Sequence, residues 1–202
     1  MILKPFMREG VMPLPVTFIS TVSAGGVRNI APYSCIMPVL RPLDLITFAS
    51  AENRDTLVNI RETGEFVINL AGADMETSVI PTARMSGPEV DEFEVAGLEE
   101  KPSVTIKAPG IMGCYAWMEC SFVKEYKEDR YSLVVGKVLR LEVSDDAIDE
   151  AYHLDVDKAA PLMMTGSKKG MHFCTVKETQ GFEPFAAMFP TGVDPISKTS
   201  NR

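Results

Sequence analysis

Apolar and β-branched residues fall in short runs along this chain, separated by Gly, Pro and charged breaks, the pattern of strands joined by turns. Pro15 to Ser23 (PVTFISTVS) reads as the first strand, and Ala24-Gly25-Gly26 as the hairpin loop behind it. Val27 to Pro38 (VRNIAPYSCIMP) predicts a second strand interrupted near Pro32, because an interior proline removes a ladder donor. Leu43 to Ser50 (LDLITFAS) predicts a third, entered through Arg41-Pro42. The period then changes. Leu57 and Ile60 sit three apart, Asp55 suits an N-cap, and Gly64 suits the left-handed position past a helix end, so Thr56 to Thr63 reads as a short helix. Glu65 to Ala71 (EFVINLA) returns to strand.

The second half is less regular. Asp74 to Thr82 is helix-prone but limited by Pro81, and Val90 to Val95 offers a turn of helix before Gly97. Tyr115 to Tyr126 and Tyr131 to Ser144 predict two long strands around the polar tip Lys127-Glu128-Asp129-Arg130, with Gly136 placed for a bulge. Asp145 to Asp157 is acidic and could hold a short helix. Met163 to Val176 places a basic loop, Gly166 to Gly170, between two apolar pieces. The expected unit is residues 1–183, mainly antiparallel β with a few short helices. Residues 184–202, with Phe185 and Phe189, form an extended or partner-contacting tail.

Charge narrows the function classes. The 202 residues carry 20 Lys and Arg against 28 Asp and Glu, a net charge of −8. The longest basic run is Lys168-Lys169, so a nucleic-acid phosphate backbone is a poor partner. No stretch approaches the ~20 apolar residues that span a bilayer. Met1 to Gly10 lacks the layout of a secretory leader, and a cytoplasmic protein is expected. The four cysteines form no C-x-x-C pair, and His172 with Cys174 is half a zinc site at best, so reduced, mostly buried thiols and no metal are expected.

Two segments offer chemistry. In Arg28 to Cys35 (RNIAPYSC) a proline frees backbone groups from the ladder, and small residues let a flat heterocycle approach. Ser50 to Thr56 (SAENRDT) joins a strand to a helix start with Arg54 and hydroxyls alongside, which suits an anion. Common signatures such as G-x-S-x-G, H-E-x-x-H, the Walker loop and G-x-G-x-x-G do not occur.

Taken in order, P-x-P-V-x-F-I-S-T (Pro13 to Thr21), N-I-A-P-Y-S (Asn29 to Ser34) and R-D-T-L-V-N-I-R-E-T-G-E-F-V-I-N-L (Arg54 to Leu70) make a pattern. It continues through D-E-F-E-V-A-G-L (Asp91 to Leu98), M-E-C-S (Met118 to Ser121) and Y-S-L-V-V-G-K-V (Tyr131 to Val138). The chain resembles the flavin reductase-like family, the FMN-binding split-barrel proteins that include flavoredoxins. The resemblance implies a six-stranded antiparallel Greek-key split barrel, as a homodimer with FMN near the interface. By position Asn29, Ala31, Pro32, Tyr33, Ser34 and Cys35 would line the isoalloxazine, and Ser50, Asn53, Arg54 and Thr56 would hold the phosphate. Arg28 and Lys168 are further candidate cations for that phosphate. The function implied is an NAD(P)H-dependent flavin reductase that needs no catalytic side chain, since the cofactor carries the chemistry. The alternative is a flavoredoxin-like carrier that docks to a redox partner protein and has no nicotinamide site of its own.

Overall fold

The expected strands form, and the main departure is how the second one divides. The computed structural model describes residues 2, 4–40, 43–150, 152–167, 170–179 and 189–192. The first run gives β1 (Leu14–Pro15) and β2 (Thr17–Val22), and the turn behind it closes with the Ser23 N–H donating to the Val27 carbonyl at 2.9 Å. The second run gives β3 (Arg28–Tyr33) and β4 (Ile36–Pro38), broken at Ser34-Cys35 and not at Pro32. Pro32 stays in register opposite Phe18 because β3 lies at the sheet edge. The Ile30 N–H, two residues back and so on the same side of the strand, points away from β2 and donates to Glu92 Oε2 at 2.9 Å. A proline on that outward side costs no ladder bond.

β5 (Leu45–Ala51), α1 (Asp55–Thr63) and β6 (Glu65–Leu70) follow as the pattern predicts, with Gly64 left-handed at φ +73°. The start of α1 differs from expectation: Arg54 is its N-cap, Asp55 is its first helical residue, and no side chain caps it. α2 (Glu76–Ala83) contains Pro81, and α3 (Glu92–Ala96) is capped by Asp91, whose carboxylate accepts from the Phe93 and Glu94 N–H groups. β7 (Glu100–Lys101) and β8 (Gly110–Ile111) pair briefly before the long hairpin of β9 (Ala116–Lys127) and β10 (Tyr131–Val143). The expected irregularity at Gly136 is present: the register shifts there, and a Cβ at that position would overlap the Phe66 ring. α4 (Val156–Ala159) occupies the end of the acidic stretch. β11 (Leu162–Ser167) and β12 (Gly170–Thr175) form a hairpin and pair with β1 as a second sheet. Lys168-Lys169, and most of the tail from Pro184 including Phe185, lie outside the described residues.

The main sheet has the order β3-β2-β6-β9-β10-β5-β4, antiparallel throughout. It has seven strands where six were expected, because the run from Arg28 to Pro38 contributes two. Those two sit at opposite edges of the sheet yet are joined by only Ser34 and Cys35. Two residues span about 10 Å between flanking strand ends at full extension, so the sheet has to curl until its edges approach. The result is a half-barrel. Inside it, Ile19, Phe48, Leu57, Ile60, Phe66 and Ile68 are buried, and Phe48 meets Tyr33 and Phe66 edge-on at 5.2 and 5.6 Å. Each such side chain contributes roughly 1.5–3 kcal/mol of burial, which fixes the curl that brings the two sequence-predicted segments together.

Candidate functional site

The site lies where β3, the β5–α1 junction and the loop after α2 converge. A buried polar network sets the position of α1. Asn29 Nδ2 on β3 donates to Thr21 Oγ1 at 3.2 Å and to Thr56 Oγ1 at 3.0 Å, and Asn59 Nδ2 donates to the same Thr21 oxygen at 3.0 Å. Four side chains joined by three hydrogen bonds in a low dielectric hold geometry firmly, so the helix start is fixed against β2 and β3. Asn69, from the matched run, serves the fold: its amide donates to Ser20 and accepts from the Ile111 N–H at 2.8 Å.

Asn29, Ala31, Asn53, Arg54 and Thr56 line one hollow at that helix start. Ala31, Pro32, Tyr33 and Arg54 line an adjoining one with Ala51 and Ala83, so Arg54 stands between the two. Ser50 is buried and meets this region through its hydroxyl, 2.9 Å from the Tyr33 hydroxyl. Burial pushes the Tyr33 phenol up, partly offset by its hydrogen bond with Ser50, so it stays neutral at pH 7. Ser34 is half-buried and Cys35 exposed, at the strand switch where the two sheet edges approach.

Arg54 is exposed and makes no ion pair or side-chain hydrogen bond among the described residues. The same holds for Arg84, which lines the first hollow from the loop behind α2 together with Thr82 and Ser86. Sequence reading missed all three. Thr82-Ala83-Arg84-Met85-Ser86 has no spacing that points to an anion, and only the packing of α2 and α3 against β3 brings it to α1. The uncapped helix start adds unpaired N–H groups and the positive end of the helix dipole. Two carboxylates oppose them, Asp55 in the first turn and Glu92 at the base of the hollow. Arg28 does not contribute. Its guanidinium donates to Asp91 at 2.7 Å and Glu100 at 2.9 Å and stacks 5.2 Å from the Phe93 ring centre, so its charge is already met. Lys168, the other candidate cation, lies outside the described residues.

The thiols divide in the same way between surface and core. Cys35 is exposed, whereas burial pushes the Cys114 thiol up to about 12 and raises Cys120 as well, leaving both as inert core groups. No helix among the described residues is long and apolar enough to cross a membrane.

Comparison with known proteins places this geometry. A protein of Methanothermobacter thermautotrophicus is 58% identical over 202 residues, covering 98% of this chain and 95% of that one. Among solved structures, nitrilotriacetate monooxygenase component B from Bacillus cereus superposes with a TM-score of 0.79 at 24% identity, covering 90% of this chain and 98% of that one. Flavoredoxin of Desulfovibrio vulgaris superposes at 0.80 with 17% identity, covering 94% and 100%. At these identities the two structures speak for a shared fold. The family described as flavin reductase like domain matches residues 7–169, most of the chain and every segment of the site described above, and this protein therefore belongs to that family.

Proposed function

We propose that this protein binds FMN at the β3–α1 hollows and works as an NAD(P)H-dependent flavin reductase. The observation that carries the reading is the pair of guanidinium groups, Arg54 and Arg84, that have no partner among the described residues, beside a helix start that no side chain caps. In a chain of net charge −8, two free arginines at one hollow suit a phosphate monoester better than they suit solvent. Arg54, Arg84, Asn53 and Thr56 would hold that phosphate. The segment Ala31 to Cys35 would meet the flavin ring, with Ala31 and Pro32 offering little bulk and Tyr33 held by Ser50. The chemistry FMN supplies when bound is reversible two-electron exchange with a nicotinamide, which asks the protein for position and electrostatics.

The reading includes a homodimer with the flavin near the interface. An apolar hollow lined by Leu43, Met118, Leu139 and Leu141, at the start of β5 and the end of β10, supports it. Leu43, Leu139 and Leu141 are each more than 40% exposed in the single chain. An absorption spectrum of the purified protein with added FMN, followed by anaerobic NADH or NADPH, tests the flavin and nicotinamide parts of the reading, and the elution volume on size exclusion tests the dimer. Bleaching near 450 nm by a nicotinamide is expected. Bleaching only by a separate reductase would favour the flavoredoxin-like carrier, and no change in spectrum, fluorescence or melting temperature with FMN would overturn flavin binding altogether.

A further inference from the structure

The hollow at the start of α1 holds four formal charges, and one of them is in an unusual place. Arg54 and Arg84 face Asp55 and Glu92, so with all four ionised the hollow is neutral before the helix dipole is counted. With Glu92 protonated it gains one positive charge. Glu92 is 8% exposed at the first turn of α3, between β3 and the α2–α3 loop. Its Oε2 accepts the outward Ile30 N–H at 2.9 Å, and Ser86 lines the hollow with it. Neither neighbour is a cation. Arg28, the nearest cation on β3, is taken by Asp91 and Glu100, while Asp91 in turn caps α3. On the far side Asp55 and Glu62 of α1 line a second hollow with Glu92. The charged groups around Glu92 are therefore Arg54 and Arg84 in the first hollow, Asp55 lining both hollows, Glu62 in the second, and an Arg28 cluster with Asp91, Glu94 and Glu100 that is net negative.

We propose that Glu92 sets the affinity of this hollow for a phosphate dianion, holding it down when ionised and releasing it when protonated. The inference rests on reading the hollow as the flavin phosphate seat. Direction follows from Coulomb's law: a carboxylate at the base of a partly enclosed hollow repels a dianion more than it would in open water. Burial and the Asp55 charge both hold Glu92 above the ordinary carboxylate range, so the change falls nearer neutrality than it would for an exposed glutamate. By linkage the bound anion draws a proton onto Glu92 in return.

Glu92→Gln tests this, since the amide keeps an acceptor for the Ile30 N–H while losing the charge. FMN and riboflavin affinities are measured for wild type and variant from pH 5 to 8, because riboflavin has the ring without the phosphate. At pH 8 the variant is expected to bind FMN about tenfold tighter than wild type, with riboflavin unchanged. The advantage is expected to fade as pH falls through the titration of Glu92, and comparing the proteins at one pH cancels titration of the phosphate itself. Asp55→Asn is a comparison variant: it removes the other carboxylate of the hollow and is expected to tighten FMN at pH 8 with riboflavin unchanged. Should Glu92→Gln fail to fold, NMR titration of the Glu92 carboxyl in the wild-type protein answers the same question, its pKa rising when FMN is added. Wild type favouring FMN over riboflavin, with equal FMN affinities for Glu92→Gln and wild type at every pH, overturns this inference alone. Neither flavin binding, or equal binding of both, overturns the phosphate seat and the inference with it.

Discussion

Arg54 and Arg61 stand seven residues apart on the same helix, two turns in register, and their surroundings could hardly differ more. Arg61 is saturated. Its guanidinium donates to Glu125 at 2.8 Å and to Glu52 at 3.0 Å, and Glu52 also accepts from the Ser132 hydroxyl at 2.6 Å. Arg54 at the N-cap has none of this, although it lies two residues from Glu52 in sequence. The difference teaches which arginine the fold uses and which it leaves without a partner among the described residues. A cation that ties α1 to the turn after β5, to β9 and to β10 is part of the structure, and a cation facing a hollow beside a second free cation is, under the proposed function, part of the phosphate seat. Arg28, held by Asp91 and Glu100, belongs with Arg61 in spite of its place beside the N-I-A-P-Y-S motif.

The comparison breaks if the two classes respond alike. Arg54→Glu should weaken FMN about a hundredfold relative to riboflavin, by calorimetry or fluorescence quenching, with little change in the melting temperature of the flavin-free protein. Arg84→Gln should follow with about a tenfold loss by the same measure, since it removes one of two cations without reversing it. Arg61→Ala should do the opposite, lowering unfolding stability by about 1 kcal/mol in urea while leaving the FMN-to-riboflavin ratio intact. Equal flavin losses from Arg54 and Arg61 substitutions would mean the division drawn here is false. Lys127→Glu, on an exposed hairpin end, is expected to give the smallest effect. A loss there matching that of Arg54→Glu would put the overall charge in control of binding.

Acid sharpens the same contrast. Hydrogen bonds from Arg61, the largest influence, hold Glu125 below the ordinary value of 4.5, and the Lys101 ammonium does so for Glu142. Carboxylates held down in the folded state stabilise above their unfolded pKa, and that stability is lost as pH falls below about 4.5 through the folded values. Glu92 runs the other way. Burial holds it up, so the folded chain carries the extra proton and the Glu92 contribution falls as pH rises through the window above 4.5. Urea unfolding from pH 3 to 8 should therefore show Glu92→Gln gaining on wild type toward the alkaline end.

Much of this was legible in the sequence where it was local. The helix from Asp55 to Thr63 declared itself by Leu57, Ile60 and the left-handed Gly64, and the bulge at Gly136 by a glycine inside a strand run. The family resemblance had the same source, since its motifs are contiguous. What sequence could not give was which groups were already spoken for. Arg28 and Arg54 look equivalent as letters, and only the approach of Asp91 and Glu100, 63 and 72 positions away, distinguishes them. Arg84 was silent for the converse reason, being brought to the site by helix packing with no signature of its own. Pro32 was read as an interruption because a strand's place in its sheet is a tertiary fact, and an edge tolerates what a centre does not.

That edge has a bearing on solubility. An uncovered edge strand is a template on which another chain can add, the first step toward edge-to-edge aggregation. Along the outer side of β3, Pro32 has no donor to offer and the Ile30 N–H is held by Glu92. A would-be added strand finds two successive outward positions without a free N–H, next to a carboxylate it cannot easily displace. The residues that flank the proposed phosphate seat thus also deny this edge to another β-strand, so the half-barrel keeps an edge strand without recruiting its own copies through it.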